Sequence, residues 1–273
     1  MREHFNVTET GYSHIKADKI CQDFSTSYSD GERTFISACD GHGGAVYVRS
    51  HKGSKFACRA ALNVTLDIGA LSSRKYSTEQ IENNLKLKIL CEWNRLVEED
   101  LSAHPLTKKE LDGLSDSQIA SLKKNPAKAY GSTLGAAMIC GRKLVCVGIG
   151  DGGCFLIKNG KITPAFPEDE DEPVANVTYS LCGEDAFEHM SAKIFDVREY
   201  DGVLLCTDGV LGPYQTVENF NSSFVRLAVR NVLCGKTAEI KNFVRELGKS
   251  KGIGDDVSLA MIVNDKVKAK YYQ

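Results

Sequence analysis

Thr133-Leu134-Gly135-Ala136-Ala137-Met138-Ile139-Cys140, Gly141-Arg142, Lys143-Leu144-Val145-Cys146-Val147-Gly148-Ile149, Gly150-Asp151-Gly152-Gly153, Cys154-Phe155-Leu156-Ile157-Lys158: these three apolar runs are separated only by short, glycine-bearing turns. Each run has strand length and strand composition. The connections are too short for a crossover helix, so the three runs are expected to pair antiparallel. Outward from this stretch, Arg33–Cys39, Lys193–Val197, Val203–Thr207 and Ser258–Val263 read as further strands, rich in Val, Ile, Leu and Phe. Between Ser77 and Leu101 the period changes. Ile81, Leu85, Ile89, Trp93, Leu96 and Val97 recur at helical spacing, and Ser77 with Gln80 forms a capping box. A second box, Ser115 with Gln118, opens a helix that must end before Pro126. His51–Thr65, Val217–Val232 and Thr237–Lys249 also fit helices. Helices and strands are segregated along the chain rather than alternating. The expectation is α+β: a four-layer α-β-β-α sandwich of two antiparallel sheets flanked by helices.

Composition bounds the function. The 273 residues are 42% hydrophobic and 26% charged, with no repeat or Pro/Gly linker, so one domain over 1–273 is expected. A net charge of -2 gives no basic field for nucleic acid or an anionic membrane. The N-terminus lacks the basic-then-apolar profile of a signal peptide, and no apolar run spans a bilayer. A cytoplasmic location is expected. The ten cysteines form no CxxC pair, and Cys39, Cys140, Cys146 and Cys206 lie in apolar runs, which reads as reduced core thiols.

Chemistry is suggested by aspartates that follow strands and adjoin glycines. Asp40 ends Phe35–Cys39 and leads into Gly41-His42-Gly43-Gly44. Asp151 sits in the glycine turn after Ile149. Asp208 follows Val203–Thr207 and precedes Gly209. Asp255 and Asp256 follow Gly254 and precede the last strand. One Asp-Gly is most simply a turn. Four aspartates adjoining glycine, each beside an apolar strand, let carboxylates and carbonyls converge on hard divalent cations. Two such ions can activate water for in-line attack on a phosphoryl group.

Asp40-Gly41-His42-Gly43-Gly44 resembles the signature of the type 2C metal-dependent Ser/Thr protein phosphatases. Cys21-Gln22-Asp23, Tyr130-Gly131-Ser132-Thr133-Leu134, Gly148-Ile149-Gly150-Asp151, Thr207-Asp208-Gly209-Val210 and Gly254-Asp255-Asp256-Val257-Ser258 resemble the family's other motifs, in the family's order. The resemblance is to a divergent, bacterial-type branch and runs from about Gly11 to Val263. It implies two stacked antiparallel sheets, Mg2+ or Mn2+ as two tight ions with a weaker third, and hydrolysis of phosphoserine and phosphothreonine in proteins. It also implies roles. Asp40 would bridge two metals and the Gly41 carbonyl would bind one of them. Asp208 and Asp255 would hold the other. Asp23 would reach the second metal through water, Asp151 would serve the third, and His42 would be the general acid. The partners implied are phosphorylated protein substrates and a cognate Ser/Thr kinase pathway.

Two departures stand out. Gln22 occupies a position where the best-known eukaryotic members carry glutamate, and no arginine stands in the stretch where they hold substrate phosphate. His14, Lys16 or Lys19 would have to replace it. The readings that compete with an active phosphatase are a phosphatase-like binding module and a small-molecule phosphoesterase. Two decoys lose to simpler readings. Gly148-Ile149-Gly150-Asp151-Gly152-Gly153 matches GxGxxG but precedes a strand rather than a helix. The run Glu168–Glu172, between Pro167 and Pro173, reads as a solvated acidic loop.

Overall fold

The computed structural model describes residues 2–67, 76–166, 178–214, 216–249 and 254–271. Its strands are β1 (Arg2–Glu9), β2 (Phe24–Ser29), β3 (Arg33–Cys39), β4 (Leu134–Cys140), β5 (Lys143–Ile149), β6 (Gly153–Lys158), β7 (Lys161–Pro164), β8 (Ser191–Asp196), β9 (Gly202–Cys206) and β10 (Val257–Asn264). They form two five-stranded sheets, β1-β10-β9-β6-β7 and β2-β3-β4-β5-β8, with every pairing antiparallel.

The β4–β5 hairpin is as expected, with Leu134 opposite Ile149 and Cys140 opposite Lys143. The third run departs from expectation. β6 does not pair with β5 but crosses to the other sheet, where Phe155 lies opposite Leu204. A short connection between strands can step from one sheet to its partner as readily as it reverses within one. Here the step begins at Gly150, whose φ of +100° is open to glycine and costly for other residues.

Three apolar layers separate the four structural ones. Ile36, Ala137, Leu144, Leu156, Val203 and Ile262 meet between the sheets. The outer face of the β3–β4–β5 sheet packs against helices Ser50–Leu66 and Thr78–Ala103, where Trp93 is fully buried. Its indole N–H donates to the Gly53 carbonyl at 3.2 Å. The other sheet is covered by helices Arg226–Leu233 and Thr237–Leu247. Both capping boxes form, at Ser77/Gln80 and Ser115/Gln118, and the second helix ends at Lys124. The long helix expected over Val217–Val232 is instead two helical pieces with a π-helical turn between them at Asn221–Val225.

One flank of the sandwich is closed by polar side chains. Asn6 on β1 donates to the Ser25 carbonyl and accepts from Ser27 on β2. Thr8 joins Ser25 at 2.8 Å and Ser258 at 2.7 Å. Cys39, Cys146 and Cys206 are buried, but Cys140 is exposed, because it ends β4 just before the Gly141 turn. The acidic run Glu168–Glu172 lies outside the described residues. Among the described residues no helix is long and apolar enough to cross a membrane.

Candidate metal centre

The Gly-Ser-Thr motif holds the backbone of Asp40. The Thr133 N–H and the Ser132 hydroxyl both donate to the Asp40 carbonyl at 2.9 Å, and the Asp40 N–H donates to the Thr133 hydroxyl at 2.9 Å. This fixes the exit of β3 and projects the Asp40 carboxylate from the sheet end. Asp208 leaves the end of β9, in the other sheet, at the first turn of the short helix Asp208–Leu211. Asp151 comes from the corner between the sheets. The three carboxylates converge, each offering an oxygen within 4.8 Å of the others.

Asp23 is buried and adjoins Asp40. It accepts a 2.8 Å hydrogen bond from the Thr207 hydroxyl, which itself accepts from the Ser258 N–H at 2.9 Å. Thr207 therefore ties together three of the segments that carry acids. Asp255 is exposed and stands outside the tight group of three, but its charge acts on Asp208. Asp256 points inward. It accepts from the Gly11 N–H at 2.8 Å and the Gln22 N–H at 2.6 Å, and its Oδ2 lies 2.8 Å from His14 Nδ1. Lys16 and Lys19 are exposed on the same segment as His14.

Electrostatically the cluster is uncompensated. Burial pushes Asp23 up to about 7. Burial, then the charges of Asp23, Asp208 and Asp151, raise Asp40 well above the usual carboxylate range. Asp208 rises to about 6, by burial and then by Asp151 and Asp255. Among the described residues no lysine or arginine pairs with Asp40, Asp151 or Asp208. Carboxylates that raise one another's pKa in this way either hold a proton or share a positive charge. The donors are all oxygen, which fits magnesium or manganese and not a soft-metal site.

His42 sits in the glycine loop beside this cluster. Its N–H donates to the Gly131 carbonyl at 3.1 Å, and its ring meets that of Tyr47 with centroids 4.9 Å apart. Its Nε2 is buried with no hydrogen-bond partner. Burial lowers its pKa, while the charge of Asp151 pulls the other way. The loop is clamped by Gln22, whose side-chain amide donates to the His42 carbonyl at 3.1 Å and to the Ser50 hydroxyl at 2.5 Å. At Gly41 a Cβ would lie 2.6 Å from the Gln22 carbonyl oxygen and 2.7 Å from that of Ser50, so the loop lies too close to both for any side chain. Sequence reasoning did not single out Ser132, Thr133, Thr207 or Asp256 as supports. The only signal was that each stands inside or next to a motif already noted.

The sequence and the fold match known proteins. Residues 10–245 match the family model described as protein phosphatase 2C. The fold resembles a bacterial serine phosphatase with a TM-score of 0.60 at 17% identity, covering 96% of this chain and 98% of that one. It resembles the catalytic domain of the serine threonine protein phosphatase PstP, solved in complex with two manganese ions, with a TM-score of 0.58 at 17% identity over 96% and 97% of the two chains. It also resembles the serine/threonine phosphatase Stp1 from Staphylococcus aureus, with a TM-score of 0.54 at 17% identity over 97% and 95%. No curated protein sequence matches the chain.

Proposed function

The chain belongs to the protein phosphatase 2C family and is by that membership a protein phosphatase; on that premise we propose that it removes phosphate from phosphoserine and phosphothreonine by direct attack of water at a two-metal centre. The observation that carries the reading is the convergence of Asp40, Asp151 and Asp208, from the ends of both sheets, without a compensating lysine or arginine. Asp40 and the Gly41 carbonyl, with Asp208, Asp255 and, through water, Asp23, would hold magnesium or manganese. Asp151 would serve a weaker third position. Bound there, the cations supply an activated water and neutralise charge on the phosphoryl oxygens.

The chain's own residues do the rest. Thr207 holds the Asp23 carboxylate in one orientation. Ser132 and Thr133 hold Asp40. His42 Nε2, lacking any internal partner, is the atom that can meet the leaving oxygen of the substrate. Burial lowers the pKa of its imidazole against the pull of Asp151, and an arriving phosphate dianion favours the protonated form. The proton then passes from His42 to the serine or threonine oxygen as the P–O bond breaks. His14 is held by Asp256, so Lys16 and Lys19 are the freer candidates for contacting substrate phosphate. The substrates are phosphoproteins, supplied by a Ser/Thr kinase.

Calorimetric titration with manganese tests the site, alongside phosphopeptide turnover with and without a chelator. Asp40→Asn and Asp208→Asn should each weaken manganese binding steeply and abolish turnover, because an amide cannot compensate divalent charge. Unchanged manganese affinity in both variants overturns the assignment.

A further inference from the structure

Seven large apolar side chains are exposed among the described residues, and three of them fall within nine residues: Tyr12 at 46%, Ile15 at 64% and Ile20 at 67%. Single exposed apolar side chains are ordinary, whereas several close in the chain beside the carboxylate cluster call for an explanation. The segment is anchored, not loose. Tyr12 N–H donates to the Gly248 carbonyl and Ser13 N–H to the Gly254 carbonyl, both at 2.8 Å. Gly11 N–H and His14 are both held by Asp256. The strip is thus fixed against the backbone that carries Asp255, at the rim of the carboxylate cluster. Tyr12 and Ile15 are three apart in the helical turn Tyr12–Lys16, which puts them on one face. Lys16 and Lys19 against the single Asp18 make the strip cationic, although the chain as a whole carries -2.

We propose that this strip is the docking surface for the residues flanking the phosphorylated serine or threonine, which lay an apolar side chain on Ile15 and Ile20 while Lys16 and Lys19 face the phosphate. The proposal rests on the phosphatase reading and adds to it a substrate class, phosphoprotein segments with an apolar residue close to the phosphorylated side chain. A residue that delivers its phosphate to the carboxylate cluster must lay the adjoining chain on the rim, and among the described residues this stretch offers both exposed apolar side chains and positive charge. A membrane is the less suitable occupant, since a helical turn of five residues is too short to lie in a bilayer interface as an amphipathic helix.

The test compares wild type with the double variant Ile15→Ser, Ile20→Ser. Both positions are exposed, so the fold should tolerate the change. Three substrates are assayed with manganese: a phosphothreonine peptide with flanking leucines, the same peptide with serines there, and nitrophenyl phosphate. Wild type should favour the leucine peptide by about tenfold in kcat/KM, mostly through KM, the size expected from partly burying apolar side chains. The double variant should lose that preference while nitrophenyl phosphate turnover and manganese affinity stay at wild-type levels. A preference absent from wild type, or retained by the variant, overturns the proposal, as does an equal loss on all three substrates. Sedimentation of wild type with anionic vesicles, or its self-association through this strip, also overturns it. If wild type turns over none of the three substrates with manganese, the phosphatase reading itself fails and the docking proposal falls with it.

Discussion

At the scale of single residues, His42 and Gln22 form one device. His42 carries the atom with no internal partner, and Gln22 fixes the carbonyl of the same residue. Protonating an alkoxide leaving group is worth about 10²–10⁴-fold in rate. Nitrophenolate leaves readily as an anion and needs no proton. His42→Ala should therefore cost phosphopeptide turnover about 10²-fold or more and nitrophenyl phosphate turnover far less, with manganese affinity close to wild type. Equal losses on the two substrates would remove His42 from the acid role. Gln22→Ala should show a smaller loss of the same pattern, and should add little when His42 is already alanine, because it acts by holding the His42 loop. Additive losses in the double variant would show that Gln22 acts elsewhere. The aspartates that converge were legible in the sequence because each follows an apolar strand at a glycine. Asp256 was not, since nothing in Asp255-Asp256 indicates which carboxylate faces outward and which accepts from Gly11, Gln22 and His14.

At the scale of elements, seven of the strands announced themselves through Val, Ile, Leu and Phe. β1 and β2 did not. In β1 only Phe5 and Val7 are buried, and in β2 only Ser25, because this flank buries hydroxyls and an amide that satisfy one another. Such a strand has no apolar period to read. β7, at four residues, is too short to show one. The β5–β6 corner escaped for a different reason, since turn length does not say whether the next strand returns to the same sheet. Beyond the sheets, Arg49 binds the helical region around Glu110 to the start of helix Ser50–Leu66. Its guanidinium donates to Glu110 at 2.6 Å, to the Tyr130 hydroxyl at 2.6 Å and to the His104 carbonyl at 2.6 Å. Arg49→Ala should lower stability by about 3–5 kcal/mol, because it strands these partners; the midpoint of urea unfolding checks it. The Arg49 hydrogen bond holds Glu110 down at about 2. A depressed carboxylate gives stability that is present above its unfolded value and is lost as pH falls through the folded one. Wild type should therefore lose stability between about pH 4.5 and 2 more steeply than Glu110→Gln. Parallel acid unfolding curves for the two proteins would contradict the pairing.

At the scale of the whole molecule, the cluster draws Asp40 from one sheet, Asp208 from the other and Asp151 from the corner between them. A cation that joins them clamps the sheets together at one end. Binding to the folded chain alone stabilises it, by about 2.7 kcal/mol at a hundredfold excess over Kd. For a chain of this size that corresponds to roughly 5–8 °C in Tm. Manganese should raise Tm by this order and a chelator should reverse it, whereas the double variant Asp40→Asn, Asp208→Asn should show no rise. A wild-type Tm indifferent to manganese would mean that the carboxylates do not share an ion.

The polar seam between β1 and β2 also bears on how copies of this chain behave toward one another. A sheet edge normally offers unpaired amides and carbonyls on which another strand can grow. Here β1 and β2 are the outer strands of their respective sheets, and each turns toward the other, joined through Asn6, Thr8, Ser25 and Ser27. These hydroxyl and amide groups are already committed, and they carry no greasy stripe to attract a stranger. A copy approaching along this flank meets side chains already engaged with one another and a neighbouring strand in the way, so strand-on-strand growth is disfavoured on this side of the sandwich.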